Sequence, residues 1–182
     1  MLWVLLGVLV LTAVSLTVMY NRLIASRNDV RNLWRQIDVQ LTRRYDLVPN
    51  LVNAVKDVMQ WEQETLTQVT EARSRAMRET DPAKKAGAES MLSQALGNLF
   101  AVVEKYPELK SNQNVAQLTA ELTTTENAVA SSRSVYNAAV RDYTNLRESI
   151  PTVFVAQMFN FRPAAYFEAA ESERATPKVA LR

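Results

Sequence analysis

The sequence contains no cysteine and no histidine, and only three glycines among its 182 residues. Without thiols and imidazoles there is no zinc site of the cysteine and histidine kind, no cysteine nucleophile and no serine–histidine relay. Disulfide bonds are excluded as well, so cysteine usage does not indicate the cellular compartment. The carboxylates fall at helical positions among polar neighbours, where nothing indicates the burial that tunes a catalytic pKa. The sequence therefore predicts a protein that is not an enzyme and that holds no metal ion or cofactor.

The composition, with few glycines, 48% hydrophobic residues and 22% charged residues, is typical of an all-α protein. The formal net charge of +2 is too small to indicate a nucleic-acid-binding protein. We therefore expect a helical protein with no nucleic acid among its partners.

The first 21 residues contain no charged side chain. As a helix they would extend roughly 30 Å, which is the thickness of the hydrocarbon core of a bilayer. A cleaved secretory signal would need basic residues before the apolar run and small residues at a cleavage site, and the sequence has neither. We therefore predict that residues 1–21 form a transmembrane anchor in a lipid bilayer.

Arginines follow the anchor closely, whereas no lysine or arginine precedes it. Because basic residues near a span tend to stay in the cytoplasm, we predict an outside N-terminus and a cytoplasmic C-terminal part. Arg22, Arg27 and Arg31 also lie near enough to the membrane to contact lipid headgroups, each contact being worth about 1 kcal/mol. The alternative is that these arginines only set the topology and otherwise belong to a solvated helix face.

Three breaks divide the chain beyond the anchor into helical patterns, namely "RYDLVPN", "RETDPAKK" and "KYPELKSNQN". The most regular pattern runs from about residue 115 to residue 150, where apolar or small residues alternate at the three and four spacing of a coiled coil. Asn114 is the predicted N-cap of this helix, and Pro151 ends it. Residues 22–150 are therefore predicted to form a cytoplasmic helical bundle.

A second predicted helix covers about residues 83–106. Asp81 is a suitable N-cap for it, and Pro82 suits its first position, where a missing amide hydrogen is harmless.

Asp46 and Pro49 interrupt the first helical pattern after the anchor. In one interpretation Asp46 caps a new helix, Pro49 lies in its first turn, and the chain reverses into an antiparallel neighbour. In the other, Pro49 removes one backbone hydrogen bond and kinks a single helix. Helices of ordinary length favour the reversal, which gives a bundle of four long helices, whereas a kink gives three. With a reversal, Arg43 and Arg44 would lie in the last turn of a helix, where cations suit the dipole.

A short aromatic, amphipathic segment occupies residues 151–170. Phe154, Met158 and Phe161 would share one helical face, and Phe159 adds to the apolar surface. Because the apolar stretch between Pro151 and Pro163 is too short to span a bilayer, we predict that it lies in a membrane interface or packs against another subunit. Folding back to close the end of the bundle is an equal alternative. Residues 171–182 are mostly polar or small, which predicts a disordered tail.

Several motifs in order resemble the LemA family: "YNRLIASRNDV", "IDVQLTRRYDLVPNLVNAVK", "YPELKSNQNV", "LTTTENAVASSRSVYNAAVRDYTNLRESIP" and "FNFRPAAYFEA". They cover nearly the whole chain past the anchor. The resemblance implies a bacterial single-pass protein of the inner (cytoplasmic) membrane, with an α-helical soluble region and no catalytic residue. Similarity to a magnetosome protein implies a role in shaping membranes. Trp61 departs from the family pattern, in which a small or polar residue is expected.

Two functions are compatible with these predictions. In the first, the anchored bundles form a homo-oligomer that scaffolds or shapes the membrane, since confinement to a plane raises the effective concentration of neighbouring copies. In the second, the protein is a membrane-tethered adaptor that binds another protein through an exposed helical groove.

Overall fold

The structure, a computed structural model, describes residues 1–168, so the tail predicted over residues 171–182 lies outside the described residues. In the described part every regular element is a helix, and the six helices are α1 (Leu2–Val55), α2 (Gln63–Arg78), α3 (Pro82–Val103), α4 (Pro107–Lys110), α5 (Gln113–Glu148) and α6 (Thr152–Met158). The prediction of an all-α fold with a long apolar N-terminal helix is confirmed.

Pro49 lies inside α1, which continues without interruption from the apolar N-terminal region to Val55. The predicted reversal at Asp46 and Pro49 is therefore wrong. The chain leaves the helix only after Val55, where residues 56–62 lead into α2. The helix continues because the side chain of Arg73 supplies the hydrogen-bond donor that proline lacks.

The described residues fall into two units, and both α1 and α5 contribute to each of them. The first unit comprises residues 1–36 and 134–165. The second comprises residues 37–133 together with the described residues after 165.

In the first unit, the chain after α6 returns along α5. The hydroxyl of Tyr143 donates to the carbonyl oxygen of Arg162 at 2.8 Å, and that of Tyr136 donates to the carbonyl oxygen of Ala165 at 2.7 Å. Both tyrosines are buried. These two hydrogen bonds hold the returning segment against one side of α5.

The turn after α6 depends on Asn160, which has a positive φ of 53°. Asparagine tolerates this left-handed conformation better than most residues. The amide of Phe161 donates to the carbonyl of Ala156 at 2.9 Å, and that of Asn160 donates to Gln157 at 3.2 Å. This is the Schellman arrangement, which satisfies the last carbonyls of a helix while the chain changes direction.

In the second unit, α2 and α3 pack against each other across a connection of only three residues. As predicted, Asp81 caps α3, because its carboxylate accepts from the amides of Ala83 at 3.0 Å and Lys84 at 3.2 Å. Pro82 occupies the first turn.

The residue that caps the start of α5 lies two positions before the predicted one. The side chain of Asn112, and not that of Asn114, accepts from the amides of Asn114 at 3.0 Å and Val115 at 3.3 Å. Two asparagines flank Gln113, and the sequence alone does not decide which of them caps the helix.

Candidate functional site

The second unit contains a cluster of polar side chains, here called the buried cluster. Arg44 and Tyr45 from α1 and Lys85 and Glu89 from α3 are buried, and Ser93 from α3 is half-buried. Only 1% of Arg44 and none of Glu89 is exposed. Charged side chains are rarely buried so completely unless they are paired.

Most of the polar atoms in this cluster take part in hydrogen bonds or ion pairs. Arg44 Nη1 lies 3.3 Å from Glu89 Oε2, and Arg44 Nη2 donates to Ser93 Oγ at 2.8 Å. The Tyr45 hydroxyl donates to Glu89 Oε1. A second carboxylate, that of Glu126 on α5, lies 3.7 Å from Arg44 Nη2. Since both oxygens of Glu89 are occupied within the protein, the carboxylate connects α1 to α3 and is not presented to a substrate.

Burial raises the pKa of the Glu89 carboxyl above its usual range, while the Tyr45 hydrogen bond and the positive charges of Arg44, Lys85 and Arg133 lower it. Burial also raises the pKa of the Tyr45 hydroxyl, and the adjacent Glu89 raises it further. Tyr45 therefore keeps its proton and remains a hydrogen-bond donor to Glu89.

Pro49 is tolerated in α1 because Arg73 on α2 replaces its missing donor. In a regular helix the amide of residue 49 would bond to the carbonyl of Tyr45, but proline has no amide hydrogen. Here Arg73 Nε donates to that carbonyl oxygen at 2.6 Å. A carbonyl left free by the proline is thus used to attach α2 to α1.

Arg73→Met is expected to lower the free energy of unfolding by about 1–3 kcal/mol, because it leaves the Tyr45 carbonyl without its partner. In a Pro49→Ala background the same change is expected to cost clearly less, since alanine returns a backbone donor to that carbonyl. Denaturant unfolding of the four full-length proteins in mild detergent measures this coupling.

Arg78→Met provides a control, because Arg78 is an exposed arginine at the end of the same helix. Its effect is expected to be small and equal in both backgrounds. Equal costs of Arg73→Met with and without Pro49 would contradict the explanation given for the proline.

The N-terminal part of α1 is long and apolar enough to cross a membrane, and its most apolar stretch is not buried by any other part of the described chain. Arg22 and Arg31 are exposed just beyond this stretch. Arg27 is half-buried, and its guanidinium carbon lies 5.1 Å from the centre of the Phe161 ring. Two of the three arginines predicted to contact lipid are therefore exposed, whereas Arg27 packs on an aromatic ring.

Sequence reasoning missed Arg162, which joins Arg27 and Arg31 around Tyr143 and Asn160 in a cavity of the first unit. Burial raises the pKa of the Tyr143 hydroxyl, while Arg147, Arg27 and Arg31 lower it. Arg162 is separated from Arg31 by more than a hundred residues, so helical spacing gave no sign that they would meet. The cavity lining contains three arginines and no carboxylate, which is a suitable environment for an anionic group.

The apolar residues predicted near the C-terminal end do not share one surface. Phe154 and Met158 are 63% and 73% exposed, whereas Phe161 is 5% exposed. Because α6 ends at Met158, the helical phase that would align Phe161 with the other two does not reach it. Phe159 and Phe161 both pack edge-on against Tyr20, with ring centres 4.8 Å and 5.7 Å away. The prediction of a common face that includes Phe161 is therefore wrong.

Within residues 1–168, no group of three or more acidic side chains is placed to hold a metal ion.

The family model described as "LemA family" matches residues 33–181. Protein LemA of Metamycoplasma hominis is 24% identical over 155 residues, which cover 85% of this chain and 71% of that protein. Magnetosome protein MamQ of Magnetospirillum gryphiswaldense is 29% identical over 96 residues, which cover 51% of this chain and 35% of that protein. A magnetosome protein MamQ of Paramagnetospirillum magneticum is 32% identical over the same length. None of these names states an enzymatic activity.

Proposed function

Because the chain belongs to the LemA family, we propose that it is a non-enzymatic, single-pass membrane protein that self-associates and thereby scaffolds or shapes the membrane. The observation that carries this proposal is the long apolar stretch of α1, which no other part of the described chain buries. Such a surface needs an apolar environment, and a bilayer supplies it. The similarity to magnetosome proteins supports a role in organising membranes.

The proposed location is the bacterial inner membrane, with the N-terminus outside and the C-terminal part of the chain in the cytoplasm. The exposed Arg22, Arg31 and Arg35 on one side of the apolar stretch support this orientation.

Arg22, Arg27 and Arg31 are proposed to contact anionic headgroups, with Arg162 as an additional ligand beside Arg27 and Arg31. In nanodiscs, replacing Arg31 and Arg162 with glutamine is expected to reduce the anionic lipid retained by the full-length protein. Unchanged retention would contradict the headgroup proposal.

Self-association is supported by Trp61, which is 85% exposed in the connection between α1 and α2. Nothing in the described chain covers its ring, so it does not close the end of its own unit. Exposed tryptophans are enriched among the residues that contribute most to protein–protein binding. Confinement of the anchor to a plane would strengthen even a weak contact between copies.

Native mass spectrometry of the full-length protein in nanodiscs tests the proposal. We expect assemblies of more than one copy, and a shift towards the monomer for Trp61→Ser. Gln60→Ser, an exposed polar neighbour in the same connection, is the matched control and should leave the distribution unchanged. A clean monomer at every protein concentration would rule out self-association.

The adaptor function predicts a different result in the cell. A photo-crosslinking amino acid at position 61 would then capture another protein and no second copy of this chain. Crosslinks between copies would favour the scaffold.

A further inference from the structure

The segment between Glu148 and Arg162 contains no charged residue. It includes α6 and the turn at Asn160. With 13 uncharged residues it is too short to cross a bilayer, which takes about 20 residues as a helix. It is long enough to enter one leaflet and return.

The position of α6 places this segment beside the apolar part of α1. An apolar groove between the two helices is lined by Leu11, Ser15 and Met19 on one side and by Phe154 and Met158 on the other. Leu11 precedes the first arginine, Arg22, by eleven residues, which corresponds to a helix length of about 16 Å. That distance is about half of the roughly 30 Å hydrocarbon core.

Most of the exposed side chains of the segment are apolar, whereas Ser149, Gln157 and Asn160 are exposed and polar. Ile150, Phe154 and Met158 are 81%, 63% and 73% exposed and follow one another at intervals of four residues. An exposed apolar row of this kind is unfavourable in water. It is continuous, across the groove, with the exposed apolar surface of α1, so the medium that covers one surface also covers the other.

After α6 the chain turns back and runs along α5, away from the apolar part of α1. Along α5, Tyr136 and Tyr143 are seven residues apart, which is about 10.5 Å of helix. Their hydroxyls bind the carbonyls of Ala165 and Arg162, three residues apart, which is about 10 Å of extended chain. The earlier tyrosine bonds to the later carbonyl, so the returning segment runs antiparallel to α5, and the matching lengths indicate that it is extended. Glu148 and Arg162 therefore lie at the two ends of a hairpin that opens to one side.

We propose that residues 149–161 form a re-entrant hairpin that inserts into one leaflet beside the anchor, with lipid acyl chains as its partner. The inference rests on the proposed membrane anchor. Non-helical backbone is tolerated at membrane depth only where its polar groups are satisfied within the protein. The turn meets this requirement in part, because the amides of Asn160 and Phe161 bond to carbonyls of α6.

A hairpin in one leaflet also bears on the shape of the membrane. It adds protein volume to that leaflet, whereas the anchor adds volume to both. This asymmetry is the physical route by which the proposed scaffold would act on membrane curvature.

The chain has no cysteine, so single cysteines can be labelled specifically. Phe154→Cys and Met158→Cys, each carrying an environment-sensitive fluorophore, are examined in full-length protein in proteoliposomes made with and without brominated lipid. Leu9→Cys reports on the anchor. Asp142→Cys, an exposed position on α5 in the same unit, is the aqueous control.

We expect blue-shifted emission and quenching by brominated lipid at positions 154, 158 and 9, and neither effect at position 142. Quenching at position 9 without quenching at 154 and 158 would overturn the hairpin and leave the anchor intact. A blue shift at 154 and 158 without quenching would show that protein covers them, for example a second copy, and would also overturn it. No quenching at any position would contradict the anchor itself.

Discussion

Replacing Glu89 with alanine is expected to lower the free energy of unfolding by about 3–5 kcal/mol, because the Arg44 guanidinium then remains buried without its closest carboxylate. The Tyr45 hydroxyl loses its acceptor in the same change. The remaining partners of Arg44 are Ser93 and the more distant Glu126, and neither replaces a carboxylate at 3.3 Å. Since single domains are stable by about 5–15 kcal/mol, this loss is a large part of the total.

Denaturant unfolding of the full-length protein in mild detergent measures the effect of Glu89→Ala. Glu121→Ala removes a comparable ion pair at the surface, where Arg43 lies 3.7 Å from Glu121 and its side chain is 58% exposed. That control is expected to cost no more than about 1 kcal/mol. If both changes cost the same small amount, the buried cluster does not stabilise the protein as argued.

Replacing both members of the buried pair is expected to be less harmful than replacing one. Arg44→Met with Glu89→Met removes both charges and leaves apolar side chains of similar length, which is often close to neutral. The comparison separates the cost of an unpaired buried charge from the net contribution of the pair.

The second large effect is expected for Leu9→Arg combined with Val10→Arg. Both residues lie near the middle of the apolar stretch and are exposed to the surroundings, at 70% and 50%. An arginine at the centre of a membrane helix costs about 2.5–3.5 kcal/mol on insertion scales. Two of them therefore remove about 5–7 kcal/mol, and we expect most of the protein to be lost from the membrane fraction after alkaline extraction.

Leu9→Ala combined with Val10→Ala is the matched control, since it changes the same positions without adding charge. This variant should remain in the membrane fraction. Full membrane retention of the double arginine variant would contradict an anchor in α1.

Composition and hydrophobic spacing were sufficient to predict the all-α class and the apolar N-terminal helix. They were not sufficient to predict where the first helix ends and the chain changes direction. The break at Asp46 and Pro49 has the local chemistry of a helix start, and an isolated helix would pay about 3 kcal/mol for the proline. Arg73, which lies 24 residues further on and on another helix, reverses that local preference. A tertiary contact of this kind has no local signal.

The buried cluster was missed for a related reason, because the carboxylates fall at helical positions among polar neighbours, a pattern typical of a solvated helix face. A signal was nevertheless present in α3, where Lys85 and Glu89 share the spacing of the buried residues Leu92, Leu96 and Leu99. A carboxylate that shares the helical spacing of buried apolar residues is expected to be buried, and a buried carboxylate requires a cationic partner.

In α1, Arg44 likewise continues the spacing of Leu41, Val48 and Leu51. Placing it at a helix end, where it would complement the dipole, was wrong because α1 does not end there. Pairing it with Glu89 would have required knowing that α1 packs on α3.

The most direct test of the account is to isolate the native protein from cells by membrane flotation after alkaline extraction and to determine its intact mass. The account predicts that the chain floats with the membranes and that its mass includes residues 1–21. A protein recovered free in solution, with those residues removed, would contradict both the anchor and the functions proposed from it.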